Sequence, residues 1–150
     1  MKKKVTLLDR ARADLITAKQ MLKNIDDDVF IDIAAYHAQQ CVEKIVKFLI
    51  GIEGKTYIAD HRLSVILEDL ADAEAKQLVE SLEISIDSWA TTARYKTTIA
   101  ASAKEVAYII GVCEKLVKIA ESRVPQAEPS CKKDVSDRFK RLLEERDQPS

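Results

Sequence analysis

Residues 29–52 read VFIDIAAYHAQQCVEKIVKFLIGI, and this segment determines the architecture that the sequence predicts. On a helical projection, its apolar side chains cover more than half of the circumference. The apolar stripe contains Phe30, Ile33, Ala34, Cys41, Ile45, Phe48 and Ile52, and it is widened by Ala35, Ala38, Val42, Val46 and Leu49. A helix this apolar contacts several neighbours at once. We therefore expect it to be the central helix of a bundle and to end at Gly51 and Gly54.

The segments on either side supply the neighbouring helices. Apolar residues at spacings of three and four predict helices over residues 5–23, 74–89 and 99–122. Asp60 is expected to cap a further short helix over residues 63–70. The chain has only three glycines and three prolines, too few for the many turns of a β-sandwich or barrel. The fold class is therefore all-α, an up-and-down bundle of four to five helices with a C-terminal helical extension.

The composition changes at the C-terminal end of the bundle. No proline precedes Pro125, and two prolines then fall within residues 124–133, which we interpret as a linker after a bundle over residues 1–123. Residues 134–150 predict a short helix and a tail. The apolar side of that helix carries Val135, Phe139, Leu142 and Leu143. Because so short a helix is marginal alone, we expect it to pack on its own bundle or on a second copy of the chain.

The overall charge excludes some classes of partner. The formal net charge is −1, so no global field attracts the protein to nucleic acid or anionic lipid, although specific nucleic-acid binding stays open. Residues 1–23 nevertheless carry seven basic and two acidic side chains, and residues 66–88 carry seven acidic and one basic. Together with the apolar side of the tail helix, this asymmetry predicts a homodimer. No apolar run is long enough to span a membrane.

The cysteines and the N-terminal residues predict the compartment. Cys41, Cys113 and Cys131 share no CxxC or CxxH spacing, so we expect no zinc site, and no other metal or cofactor motif occurs. The first residues, MKKKVTLLDRARAD, lack the apolar stretch of a signal peptide. We therefore expect a cytoplasmic protein whose Cys41 and Cys113 are small buried hydrophobes.

Arg94 and Tyr95 are the pair most suited to ligand binding. A guanidinium at the end of a helical stretch can form a bidentate contact with a phosphate or carboxylate while the neighbouring ring stacks. The alternative is purely structural, with the arginine capping carbonyl groups and the tyrosine filling one end of the bundle. His37, at the margin of the apolar stripe, is expected to be a packing histidine.

Three short motifs, taken in order, resemble the HEPN domain family. They are YHAQQCVEKIVKFLI at residues 36–50, DHRL at 60–63 and ARYK at 93–96, followed by a long closing helix. The resemblance covers residues 5–122 and implies a helical bundle that is often a homodimer. Some members of the family are ribonucleases, often toxins, whose site is an arginine and a following histidine with four to six residues between them. Others bind nucleotides or pair with small nucleotidyltransferase-like proteins.

This sequence departs from the ribonuclease pattern at its defining residue. Arg94 would be the family's arginine, but Ile99, Ala100 and Ala101 occupy the positions where a histidine would follow. None of these three side chains can transfer a proton. The resemblance therefore implies the non-nuclease class, without intrinsic catalysis.

The resulting hypothesis is a protein that binds a nucleotide or a partner protein, such as a nucleotidyltransferase-like protein. The expected ligand-binding residues are Arg94 and Tyr95, together with Tyr36, Gln40, Lys44 and Lys47 from the polar strip of the second helix. We expect Lys44 and Lys47 to form an electropositive cleft, and Arg94 to be partly exposed, with Glu43 as its candidate carboxylate across the bundle. The alternatives are an RNA-cleaving toxin of a toxin–antitoxin pair with a displaced catalytic residue, and a pure dimerisation module.

Overall fold

The computed structural model describes residues 4–24, 26–90 and 101–125. Within these ranges the regular elements are helices, which confirms the all-α class. The helices are α1 (Leu7–Leu22), α2 (Asp28–Ile52), α3 (Leu63–Ile66), α4 (Ala73–Glu80) and α5 (Ala103–Arg123), and a 3₁₀ turn (Leu67–Asp69) follows α3. The predicted linker and tail helix lie outside the described residues, apart from Val124 and Pro125.

Side-chain caps define where the long helices begin. The Thr6 hydroxyl accepts from the backbone N–H of Asp9, whose carboxylate accepts in return from the Thr6 N–H, and Ser102 and Glu105 form the same reciprocal pair before α5. Asp27 caps α2 by accepting from the Val29 N–H. Each cap satisfies backbone donors that the first helical turn leaves without a partner.

α2 is the central helix, as its sequence predicts. It contacts α1, α5 and α3, and most of its predicted apolar stripe is buried. The stripe is exposed only towards its ends, where Phe30 and Ile52 are each 36% exposed. Gly51 lies inside the last turn of α2, and it is Gly54, with φ of 79°, that allows the chain to leave the helix.

α1 and α5 run antiparallel beside α2. Arg12 contacts Glu121 at 3.0 Å and Lys19 contacts Glu114 at 2.5 Å, so residues further along α1 meet residues earlier in α5. Two positive charges of the basic first helix are therefore matched within the same chain. The homodimer expected from the charge asymmetry stays a prediction.

Two sequence-based expectations about the shorter helices are wrong in detail. α4 ends at Glu80 and does not continue to Trp89, because residues 84–88 read ISIDS, and β-branched isoleucine, serine and aspartate all have weak helix propensity. Asp60 does not cap α3. Its carboxylate binds the backbone N–H and the guanidinium of Arg62, and the Leu63 N–H donates to Asp87, 24 residues away.

The two described cysteines are buried free thiols, as expected. The Cys113 Sγ of α5 donates to the carbonyl oxygen of Ala38 in α2 at 3.3 Å. The hydrogen bond with the neighbouring Cys41 thiol, together with burial, raises the pKa of Cys113 well above its usual value, which keeps the thiol protonated. Among the described residues, no helix combines the length and apolar character needed to cross a membrane.

Asp14 joins α1 to α2. Its side chain accepts from the His37 ring, at 2.8 Å from Nδ1, and from the Lys44 ammonium group, and it is 8% exposed. Burial by itself would raise the pKa of Asp14, but the hydrogen bonds and charges of His37 and Lys44 outweigh it and lower the pKa. A carboxyl with a lowered folded-state pKa stabilises the fold above its unfolded-state pKa. That contribution is lost as the pH falls through the folded-state value.

Asp14→Asn should lower the free energy of unfolding at neutral pH by about 1.5–3 kcal/mol, because it removes charge-assisted hydrogen bonds. It should also flatten the loss of stability that begins below about pH 4, since the titrating group is gone. Denaturant unfolding at a series of pH values measures both effects, with the exposed Asp26→Asn as control. If the free energy of unfolding of Asp14→Asn fell as steeply below pH 4 as that of the parent chain, this role of Asp14 would be contradicted.

Candidate functional site

A polar network crosses the otherwise apolar interior side of α2. Gln39, Glu43 and Lys47 follow one another at intervals of four residues and are only 0%, 4% and 9% exposed. Gln39 Nε2 donates to Glu43 Oε2 at 3.2 Å, and Lys47 Nζ donates to Glu43 Oε1 at 2.8 Å. Gln40 in turn donates to Gln39 Oε1 at 2.7 Å. We call these residues, together with His61, the Glu43 network.

His61 brings the Glu43 network to the surface. Its Nδ1 lies 2.9 Å from Glu43 Oε1, although the His61 side chain is 81% exposed and that of Glu43 only 5%. A carboxylate can only accept, so Nδ1 donates the hydrogen bond, and the neutral ring keeps its lone pair on Nε2. A buried carboxylate thus fixes the tautomer of a solvent-exposed imidazole.

The loop after α2 supplies a second aromatic ring beside the Glu43 network. We call the exposed surface formed by Tyr57 and His61 the rim. Tyr57 is 40% exposed, and its ring centroid lies 5.5 Å from the Lys47 ammonium nitrogen. This cation–π contact favours a fixed position for Tyr57 beside the network. Tyr57 and His61 therefore present two aromatic rings over one buried ion pair.

Asp87 connects this rim to the chain that leads to Arg94. Its Oδ1 accepts from the Leu63 N–H at 3.1 Å, two residues after His61. Asp87 is in turn seven residues before Arg94 in the sequence. Arg94 and Tyr95 themselves lie outside the described residues, and so does any pairing of Arg94 with Glu43.

The remaining predicted ligand-binding residues lie along one side of α2. The Tyr36 ring meets the His37 ring edge-on, with centroids 5.1 Å apart, and Gln40 belongs to the Glu43 network. Lys44 and Lys47 are each in an ion pair, with Asp14 and Glu43 respectively. Neither ammonium group therefore supplies an uncompensated charge to an electropositive cleft, and the role of these residues in ligand binding stays a prediction.

Sequence reasoning missed the centre of this arrangement. From the sequence, Glu43 is expected only as a partner for Arg94, and His61 only as part of the DHRL motif. The available signal was the spacing of Gln39, Glu43 and Lys47, which places three polar side chains in line on a helix that is apolar over most of its surface. Tyr57 gives no such signal, since its contact with Lys47 depends on the path of the loop.

The donor set suits hydrogen bonding and proton transfer more than metal binding. In the described ranges, no three His, Cys, Asp or Glu side chains are grouped so that they could hold a metal ion. The Lys47 ammonium group also binds Glu43 Oε1, an oxygen that a metal ion would need as a ligand.

Glu43→Ala should lower the free energy of unfolding by about 3–5 kcal/mol, because it leaves the Lys47 ammonium group buried without its carboxylate. His61→Ala removes an exposed partner of the same carboxylate and should cost less than about 1 kcal/mol. Denaturant unfolding of the two variants side by side measures the difference. If both variants lost the same free energy of unfolding, the distinction between a buried, structural Glu43 and an exposed His61 would be wrong.

Comparison with known proteins identifies the family. The model of the HEPN domain matches residues 5–123, which include α1 to α5 and the whole Glu43 network. Neither the curated proteins nor the solved structures provide a match. The family match agrees with the three motifs at residues 36–50, 60–63 and 93–96 and with the all-helical fold. The chain therefore belongs to the HEPN domain family.

Proposed function

We propose that this HEPN domain acts by binding a nucleotide at the rim of the Glu43 network, without cleaving RNA. The observation that supports the proposal most is the exposed His61 ring, which is held by a carboxylate that is itself buried. In this proposal the ligand contacts Tyr57 and His61 and is also bound by Arg94 and Tyr95.

The energetic cost of the Glu43 network is the first argument. A buried ion pair contributes little net stability, and replacing one by apolar residues of similar size is often neutral or stabilising. The bundle would therefore lose little if apolar side chains stood at positions 43 and 47. The Glu43–Lys47 ion pair instead orients the rings of His61 and Tyr57 at the surface, which favours a role in ligand binding.

The chemistry of the rim is the second argument. Tyr57 and His61 offer faces on which a nucleobase can stack, and stacking on an aromatic side chain contributes about 1–3 kcal/mol per base. The free Nε2 of His61 can accept a hydrogen bond from an amino group of the base. The Arg94 guanidinium has the planar set of donors that a phosphate group requires.

The ion pairs of Lys44 and Lys47 make the proposal more specific. Since Asp14 and Glu43 already match these two charges, phosphate recognition depends on Arg94. A ligand without a phosphate should therefore bind weakly, and one without a base should gain nothing from the rings.

Adding ATP or GTP at about 100 times its Kd should stabilise the protein by about 2.7 kcal/mol. Arg94→Ala should abolish this stabilisation while lowering the stability of the free protein by less than about 1 kcal/mol, and His61→Ala should weaken it. Thermal shift with the nucleoside, the nucleotide and inorganic phosphate measures each contribution.

Lys118→Ala is the matched control for the nucleotide experiment, since Lys118 is an exposed residue of α5. It should respond to nucleotide like the parent chain. A full nucleotide shift in Arg94→Ala, or no shift with any nucleotide in the parent chain, would contradict the proposal. In the second case, binding of a nucleotidyltransferase-like protein would become the better hypothesis.

RNA cleavage is the second candidate, because one observation favours it. An exposed imidazole whose Nδ1 donates to a buried carboxylate has the arrangement of a general base. His61 would then be the displaced catalytic residue in a chain without a histidine at positions 99–101. Arginine cannot replace it, since its guanidinium stays charged at every accessible pH.

We predict no cleavage of single-stranded RNA above background, because the reaction needs both a base and an acid, and positions 99–101 supply no second proton-transferring group to act with His61. Purified protein and the His61→Ala and Arg94→Ala variants should give equal, background rates. Cleavage by the parent chain that disappears in both variants would establish the nuclease and overturn the binding-only proposal. The comparison with His61→Ala separates this outcome from a contaminating ribonuclease.

A further inference from the structure

An acidic groove lies beside α4, on a part of the fold that the Glu43 network does not use. It has a volume of about 460 Å³ and lies between the α3 segment and residues 76–87. Its apolar lining includes Leu63, Leu67, Val79, Leu82 and Ile86. We call it the α4 groove.

The charges of the α4 groove are unbalanced. Its lining includes Glu68, Glu80, Glu83 and Asp87 but only one basic residue, Lys76. Glu68, Glu80 and Glu83 form no ion pair within the described part of the chain, whereas Glu74, just outside the groove, is matched by Arg123 at 2.8 Å. An apolar floor with an acidic border fits an apolar segment with a basic border.

Residues 134–146 of the same chain, which we call the tail segment, have this complementary pattern. They read DVSDRFKRLLEER, and a helical projection places Val135, Phe139, Leu142 and Leu143 on one face. Arg138 and Lys140 border that face on its two sides. Asp137 and Glu144 lie on the opposite side of the projection.

The tail segment is close enough to reach the α4 groove within one molecule. Arg123, at the end of α5, bonds to Asp72, the residue that caps α4, with 2.8 Å between Nε and Oδ2. From Asp72 to Glu80 the chain advances about 12 Å along α4. The eight residues 126–133 can span about 26–29 Å when extended, which exceeds that distance.

We propose that the tail segment docks into the α4 groove of its own chain, with its apolar side chains on the groove floor and Arg138 and Lys140 beside Glu80 and Glu83. A short linker gives an effective concentration in the millimolar range, so docking within one chain prevails over a second copy at micromolar protein.

A second groove near the end of the described chain is the main competitor. It is lined by Phe48, Ile52, Val124 and Pro125, among others, and lies nearer to the linker. Its only basic residue, Arg12, is already matched by Asp9 and Glu121. Its two carboxylates exceed that single arginine by one charge, whereas the four carboxylates of the α4 groove exceed its one lysine by three, so charge favours the α4 groove.

Docking would affect the junction that supports the His61 rim. Leu63 and Asp87, which are joined by the 3.1 Å hydrogen bond, both line the α4 groove. The tail segment would thus pack against the two chain segments that lead to His61 and to residue 91. This inference does not depend on which ligand the rim binds.

A charge-exchange experiment on the full chain tests the proposal. Glu80→Lys with Glu83→Lys, and separately Arg138→Glu with Lys140→Glu, should each lower the Tm by about 2–4 °C. The combination of all four changes restores opposite charges and should recover most of that loss. Arg141→Glu, a matched reversal on the polar side of the tail segment, should leave the Tm unchanged. Losses that simply add, or no loss in either pair, would overturn the proposal.

Limited trypsin digestion of the full chain gives an independent readout. Cleavage after Arg138, Lys140 and Arg141 should be several-fold faster in Glu80→Gln/Glu83→Gln than in the parent chain, because the undocked tail segment is accessible. Ile52→Glu, in the competing groove, should not change the rate. Faster cleavage in Ile52→Glu alone, or a dimer whose tail protection increases with protein concentration, would overturn docking in the α4 groove of the same chain.

Discussion

The carboxylate of Glu43 is buried on α2 beside the exposed His61 ring, and its need for hydrogen-bond donors constrains the groups around it. Its two oxygens accept from Gln39 and Lys47 on the same helix and from His61 across a loop. A buried carboxylate without any of these donors would cost several kcal/mol, and the two donors on α2 meet most of this requirement. The His61 hydrogen bond contributes less than about 1 kcal/mol, but it sets the position of the exposed ring relative to α2. The exposed rings of the rim are oriented as a consequence of this interior requirement.

α2 can hold such a group because its other sides are packed by apolar contacts. Small residues at Ala34, Ala35 and Ala38 are at most 2% exposed and let α1 and α5 approach closely. Asp14 is a second buried carboxylate, and it joins α1 to α2 by accepting hydrogen bonds from His37 and Lys44. Both buried carboxylates therefore use donors from α2, which makes this helix the centre of the polar as well as the apolar interactions.

The sequence predicts those features that depend on local patterns. The central position of α2 follows from its wide apolar stripe, and the long closing helix α5 from the spacing of its apolar residues. It does not predict contacts between distant residues. The cap of Leu63 comes from Asp87, 24 positions away, and not from Asp60, and the charge of Lys44 is matched by Asp14, 30 positions away. The expected electropositive cleft fails for two reasons: Asp14, the distant partner of Lys44, is not visible in the local spacing, and Glu43, four residues before Lys47, is.

The central claim is that Glu43 holds His61 at a nucleotide-binding rim, and the imidazole signals of the protein test it most directly. The chain has two histidines, and each donates from Nδ1 to a carboxylate, but His37 belongs to the Asp14 cluster. In an NMR titration with ATP, we expect the His61 ring signals to shift with saturation while those of His37 stay in place, and we expect Glu43→Gln to reduce the shift. His61 signals that do not change at saturating nucleotide would contradict it.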